Sequence, residues 1–229
     1  MALTPADHLG AVSRAVADGE RDGVPVRVLT VERTYDADPA EVWDCLTSAE
    51  RLPRWFMPVS GDLRLGGRYQ LEGNAGGEVL TCDEPRHLAV TWEFGGGIGW
   101  VDVVLTPTAG GTALRLDHSA PVEKEFWDRF GPGATGVGWE LGLMGLALHL
   151  LPGAPERPPE ADPAWGASPE GRAMMGGSAT AWGEAAVAYG EEPGQARAAA
   201  ARTAAFYTGE EPAGADGTDG TDGTDGTGD

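Results

Sequence analysis

The chain has 229 residues, 36 of them Asp or Glu against 16 Lys or Arg, for a formal net charge of −20. Nucleic-acid recognition needs a basic footprint, and anionic membrane surfaces attract basic segments, so this charge argues against both partners. The length suits one well-cored domain with appendages, and two cysteines, Cys45 and Cys82, do not make a disulfide framework.

Residues 1–23 read as a short N-terminal helical arm. Thr4 suits the N-cap, Pro5 the first helical position and Asp7 the capping-box acid, while Leu9, Val12 and Val16 recur at helical spacing. No basic region followed by an apolar run opens the chain, so the expectation is a cytoplasmic protein. Residues 24–35, rich in Val, Leu and Thr, predict the first strand. Asp38 then caps a helix with Pro39 at its first position and Val42, Trp43 and Leu46 on its apolar face. A second helical turn over 48–54 leads to Trp55-Phe56-Met57, where Pro58 stops helical structure. Three large apolar groups in succession at a loop are either a core plug or part of a pocket mouth.

Residues 62–118 predict a meander of strands. Leu63 and Leu65 alternate before a turn at Gly66-Gly67, Tyr69 and Leu71 alternate next, and residues 74–77 turn the chain. Residues 78–82 form a strand ended by Asp83-Glu84-Pro85, and Leu88, Val90, Trp92 and Phe94 then share a face at period two. The glycine run over 95–99 is followed by another strand, so it reads as a hairpin turn and not as a phosphate loop, which needs a helix N-terminus. Val101, Val103 and Leu105 alternate, residues 107–111 turn, and Leu114, Leu116 and His118 share a face. Short Gly-rich turns between strands mean an antiparallel sheet, and one-sided alternation means one buried face.

The cover for that face is residues 136–151, a segment apolar on nearly every side and about 24 Å long as a helix, too short to span a membrane. Its one acid is Glu140, which reads either as the exposed end of the helix or as a buried site. Gly138, Gly142, Gly145 and His149 fall on one stripe, where missing side chains serve either close packing on the sheet or room for a ligand. Residues 152–168 form a Pro-rich linker. Residues 169–208 are a helical extension, opened by Ser168 as a cap and expected to pack back on the domain. Residues 209–229, dominated by an Asp-Gly-Thr repeat, are expected to be a disordered acidic tail.

The order of several local motifs resembles a known family. They are Val31-Glu32-Arg33-Thr34-Tyr35, Asp38-Pro39-Ala40-Glu41-Val42-Trp43, Leu46-Thr47 and the stretch 52–58. Leu65-Gly66-Gly67-Arg68-Tyr69, Pro85-Arg86-His87-Leu88, Trp92 and Gly111-Thr112-Ala113-Leu114 follow. Over residues 24–151 the chain resembles the SRPBCC (START-like) superfamily, in the branch related to the activator of Hsp90 ATPase. The resemblance implies an α+β helix-grip fold, a curved antiparallel sheet wrapped around a long C-terminal helix, with a cavity between them.

No catalytic constellation stands out. His8, His87, His118 and His149 show no metal-ligand spacing with one another or with Cys, Cys45 reads as a core residue, and no cofactor is expected. His118 points where Leu114 and Leu116 point, as a structural residue, a ligand-orienting group or an acid/base. The candidate cavity lining is Trp55, Phe56, Tyr69, Trp92 and Val103, with Leu116, His118, Trp139, Gly142 and Met144. An aromatic-lined cavity with few polar groups suits a small hydrophobic or aromatic ligand. The alternative that the resemblance implies is a polyketide cyclase or dehydratase-like enzyme using His118 or Glu140 for proton transfer. A second alternative is a co-chaperone or protein-interaction role on the convex surface, with the protein partner unknown.

Overall fold

In the computed structural model residues 3–154 and 162–210 are described. Helix α1 (Pro5–Gly10) starts on a capping box in which the Thr4 hydroxyl accepts from the Asp7 N–H and the Asp7 carboxylate accepts from the Thr4 N–H. The predicted arm then departs from helix. Residues beyond Gly10 form strand β1 (Val12–Arg21), paired antiparallel with β2 (Val24–Tyr35) from Val12 opposite Arg33 to Arg21 opposite Val24. Val12 and Val16 fit a helical spacing, but with Arg14 they also fit period two, and β2 supplies a full ladder of backbone partners. Asp22 and Gly23 join the strands with φ of 51° and 79°, the positive pair that a two-residue type I′ hairpin requires.

Helix α2 (Pro39–Thr47) follows with Asp38 at the N-cap position, although the Asp38 side chain makes no capping hydrogen bond. A 3-10 turn at Leu52–Arg54 leads into β3 (Val59–Gly61). Then come β4 (Arg68–Leu71), β5 (Gly76–Asp83), β6 (His87–Phe94), β7 (Gly97–Thr108) and β8 (Gly111–Ala120). Two local expectations are corrected here. Leu63 and Leu65 lie in a loop, not a strand, and Leu65 is exposed. The turn expected over 74–77 sits at Glu72-Gly73, with Gly73 at φ 68°, while Gly76 and Gly77 belong to β5. A Cβ on Gly77 would stand 2.1 Å from the Thr91 carbonyl oxygen, so these glycines serve strand approach.

All eight strands form one curved antiparallel sheet in the order β1-β2-β8-β7-β6-β5-β4-β3. After α3 (Lys124–Phe130), the long helix α4 (Gly133–His149) lies against its inner face. Val31, Val103 and Leu116 from the sheet, Val42 and Cys45 from α2, and Val137, Leu143 and Leu146 from α4 share one core. The Tyr35 hydroxyl donates to the Leu143 carbonyl at 3.1 Å, tying sheet to helix.

Three further helices follow, α5 (Pro163–Ala167), α6 (Pro169–Tyr189) and α7 (Pro193–Thr208). Ser168 caps α6 as expected, accepting from the Gly171 N–H at 3.0 Å. Helix α6 packs on α4, α7 and β1. Its Trp182 is fully buried, and a Cβ on Gly136 of α4 would lie 2.2 Å from that indole, so the helices approach this closely only because Gly136 lacks a side chain. Part of the expected linker, 155–161, and nearly all of the expected tail, 211–229, lie outside the described residues. Among the described residues no helix is long and apolar enough to cross a membrane.

Candidate functional site

Between the sheet and α4 lies a hollow of ≈ 120 Å³ whose wall is almost wholly apolar. Eight of the ten sequence-derived lining candidates border it: Trp55, Phe56, Tyr69, Trp92, Val103, Leu116, Trp139 and Gly142. Period two aims Leu88, Val90 and Trp92 of β6 and Val101 and Val103 of β7 at it, and the turn after α2 brings Trp55 and Phe56 in from the end. Gly142 leaves the helix surface low there. Its Cβ position is 3.2 Å from the Phe56 ring, so the missing side chain both admits that ring and borders the hollow.

Three polar groups of the wall are bonded away from the hollow. Trp55 Nε1 donates to the Cys45 carbonyl at 2.9 Å, the Tyr69 hydroxyl to the Thr91 carbonyl at 2.7 Å, and the Thr47 hydroxyl to the Trp43 carbonyl at 2.8 Å. Burial holds the Tyr69 phenol well above its ordinary pKa, so it stays neutral.

A second, wider cleft of ≈ 620 Å³ opens beyond the hollow. Phe56, Trp92 and Trp139 line both spaces and form the partition between them. Trp92 and Trp139 lie 4.9 Å apart by ring centroids, and Phe56 and Trp139 stack at 6.1 Å. His118 lines this outer cleft and not the inner hollow. Trp139 Nε1 donates to His118 Nδ1 at 3.0 Å. An indole N–H only donates, so Nδ1 is the acceptor and the neutral imidazole carries its proton on Nε2. Desolvation pulls the His118 pKa down to about 4, so the ring is neutral at physiological pH.

The remaining candidates fall elsewhere. Met144 is buried but lines neither space, whereas its neighbour Leu143 borders the hollow. Glu140 is fully buried, which overturns its reading as an exposed helix end. Its two oxygens accept from Arg14 Nε and Nη2, each at 2.6 Å, on the side of α4 that faces β1. Both oxygens are thus engaged by Arg14, and neither residue lines the hollow, so Glu140 is not placed to move a proton there. Nearby, His8 is fully buried against Arg33, and desolvation lowers its pKa to about 3. His149, at the end of the glycine stripe, meets Arg51 Nη2 at 3.2 Å. Among the described residues no three His, Cys, Asp or Glu side chains gather where a metal ion could be held.

The sequence reading missed the outer cleft. Its walls come from the β6–β7 turn (Gly96), from Ile98 at the start of β7, from Thr135 on α4 and from Tyr207 on α7, which no single periodicity connects. Leu88 and Val90 were legible, since they share the predicted face with Trp92.

A curved antiparallel sheet gripping one long helix is the helix-grip architecture of the SRPBCC superfamily. The family described as Activator of Hsp90 ATPase homolog 1-like protein matches residues 36–150, half of the chain, and the chain belongs to it. Among solved structures, the crystal structure of CalU16 from Micromonospora echinospora is 30% identical, with a TM-score of 0.62, over 76% of this chain and 98% of that one. The solution structure of CalU16 aligns with a TM-score of 0.66 over 78% of this chain and 97% of that one. This coverage reaches beyond the residues that the family matches. DynU16, from the dynemicin biosynthetic locus, is 26% identical with a TM-score of 0.50, over 57% of this chain and 49% of that one. No curated protein matches the chain.

Proposed function

We propose that the protein binds a small apolar or aromatic molecule in the hollow between the sheet and α4. The observation that carries this reading is the almost wholly apolar wall, from which Trp55, Tyr69 and Thr47 turn their donors away to backbone carbonyls. Apolar cavities of about 150 Å³ stay dry and take up benzene, and the hollow here, at ≈ 120 Å³, is of that order. The place of DynU16 in a biosynthetic locus supports seeking the natural ligand among biosynthetic small molecules.

The enzymatic alternative, a polyketide cyclase-like reaction, needs a group that moves a proton. His118 presents a proton on Nε2 while Nδ1 is engaged by Trp139, and Glu140 is locked to Arg14. These side chains favour holding a ligand over abstracting its proton.

Benzene added to the full chain tests the reading. A ligand that binds only the folded state raises its stability with the logarithm of ligand concentration. We expect a rising Tm and a change in tryptophan fluorescence that saturates with one site. No shift up to the solubility limit of benzene would overturn the proposal.

A further inference from the structure

The inner hollow has room for little more than a single ring, but the space does not end there. Phe56, Trp92 and Trp139 each touch the hollow on one side and the ≈ 620 Å³ outer cleft on the other. The partition is therefore made of side chains, and of these Phe56, a half-buried ring with no hydrogen bond to lose, is the one free to give way while Trp139 keeps its bond to His118.

The cleft differs from the hollow in chemistry. His118 Nδ1 is taken by Trp139, and among the described residues no protein atom accepts from Nε2, so its N–H is free to donate. Glu123 stands at the rim, and the chain carries a net charge of −20, so the field disfavours an anion as the acceptor. A neutral oxygen of the carbonyl type meets both conditions. Helix α7 completes the wall through Tyr207, whose hydroxyl donates to the Ala134 carbonyl at 2.6 Å. The C-terminal extension is thereby part of the site.

We propose that the outer cleft is a second ligand compartment, and that the ligand is an elongated, uncharged aromatic compound whose carbonyl oxygen accepts a hydrogen bond from His118 Nε2. This rests on the reading that the hollow takes an apolar group.

The test compares fluorenone with fluorene, which share a three-ring skeleton and differ by the carbonyl, on the full chain, with benzene as the probe of the hollow alone. The wild type binds fluorenone about fivefold tighter than fluorene, the effect of one neutral hydrogen bond. His118→Leu removes the donor, and fluorenone loses its advantage. His118→Gln keeps a donor and keeps most of it. Thr135→Trp, at the half-buried rim, fills the cleft and weakens both three-ring probes about tenfold or more; it decides the matter should His118→Leu not fold. A wild type that binds benzene yet treats fluorenone and fluorene alike, or a Thr135→Trp that binds both as before, overturns this proposal and leaves the hollow standing. A wild type that does not take up benzene overturns the reading of the hollow, and this proposal with it.

Discussion

Gly142→Leu puts four carbons into the hollow from the helix side. The new Cβ meets Phe56 Cδ2 and Cε2 at 3.2 Å and Trp55 at 4.0 Å. The first contact is tight, but Phe56 is half-buried and borders the open outer cleft, so its ring has space to shift. Moving it costs about 1–3 kcal/mol. Against that, removing a glycine from a helix interior gains up to about 1 kcal/mol, and burying a leucine side chain gains about 1.5–3 kcal/mol. The favourable terms lead by about 1 kcal/mol, which for a chain of this size is a Tm rise of about 2–4 °C. Benzene binding should fall at least tenfold, because the hollow is filled. Gly136→Ala is the internal control: its single added carbon would stand 2.2 Å from the fully buried Trp182 indole, with no open space behind it. That variant should lose about 1–3 kcal/mol despite its better helix propensity. Thermal melts and benzene titrations on both variants check the reasoning. Gly142→Leu destabilised as much as Gly136→Ala, or binding benzene as the wild type does, would refute it.

Glu140→Gln should lose about 3–5 kcal/mol in a denaturant titration, because it strands Arg14 against a buried partner that no longer carries charge. The double variant Arg14→Met/Glu140→Leu should recover most of that, and a single variant within 1 kcal/mol of wild type would show the pair to be dispensable. Trp182→Ala should lose about 3–5 kcal/mol in one cooperative transition, since the residue belongs to the common core; a separate early transition would mean that α6 and α7 fold apart from the sheet. Burial pulls the His118 pKa down to about 4 from the 6.5 of a free imidazole, so between those values the unfolded chain binds the extra proton and stability falls as pH falls. Below about 4 both states are protonated and that loss stops growing. The Tm of His118→Gln should therefore fall less than that of the wild type between pH 6.5 and 4, and parallel curves would contradict a buried neutral imidazole.

The strands of the meander were legible because Leu88, Val90 and Trp92 or Val101, Val103 and Leu105 alternate without interruption. Strand β1 was not. Arg14 occupies an inward position between Val12 and Val16, and its partner Glu140 lies 126 residues away, so the alternation looked broken from within the segment. The same pair decides between the two readings of Glu140: an acid in an apolar helix is either an end or a buried site until its arginine is found on another element. Met144 was one residue out of phase with Leu143, a rotation of about 100° on a helix whose apolar surface runs all the way round and marks no face. The aromatic wall could be assembled from strand parity. The outer cleft could not, because it depends on where α7 returns, and an alanine-rich helix carries little pattern to say which way it faces.

The central claim is that an apolar molecule sits between the sheet and α4, walled by Trp55, Tyr69, Val103 and Leu116. A crystal of the full chain soaked in bromobenzene tests it directly, because bromine is located by its anomalous scattering. The account predicts one anomalous peak inside the hollow, in contact with Gly142 and Leu143, and its loss in Gly142→Leu. An empty hollow in crystals that bind bromobenzene elsewhere, or a peak in the hollow that persists unchanged in Gly142→Leu, would contradict it.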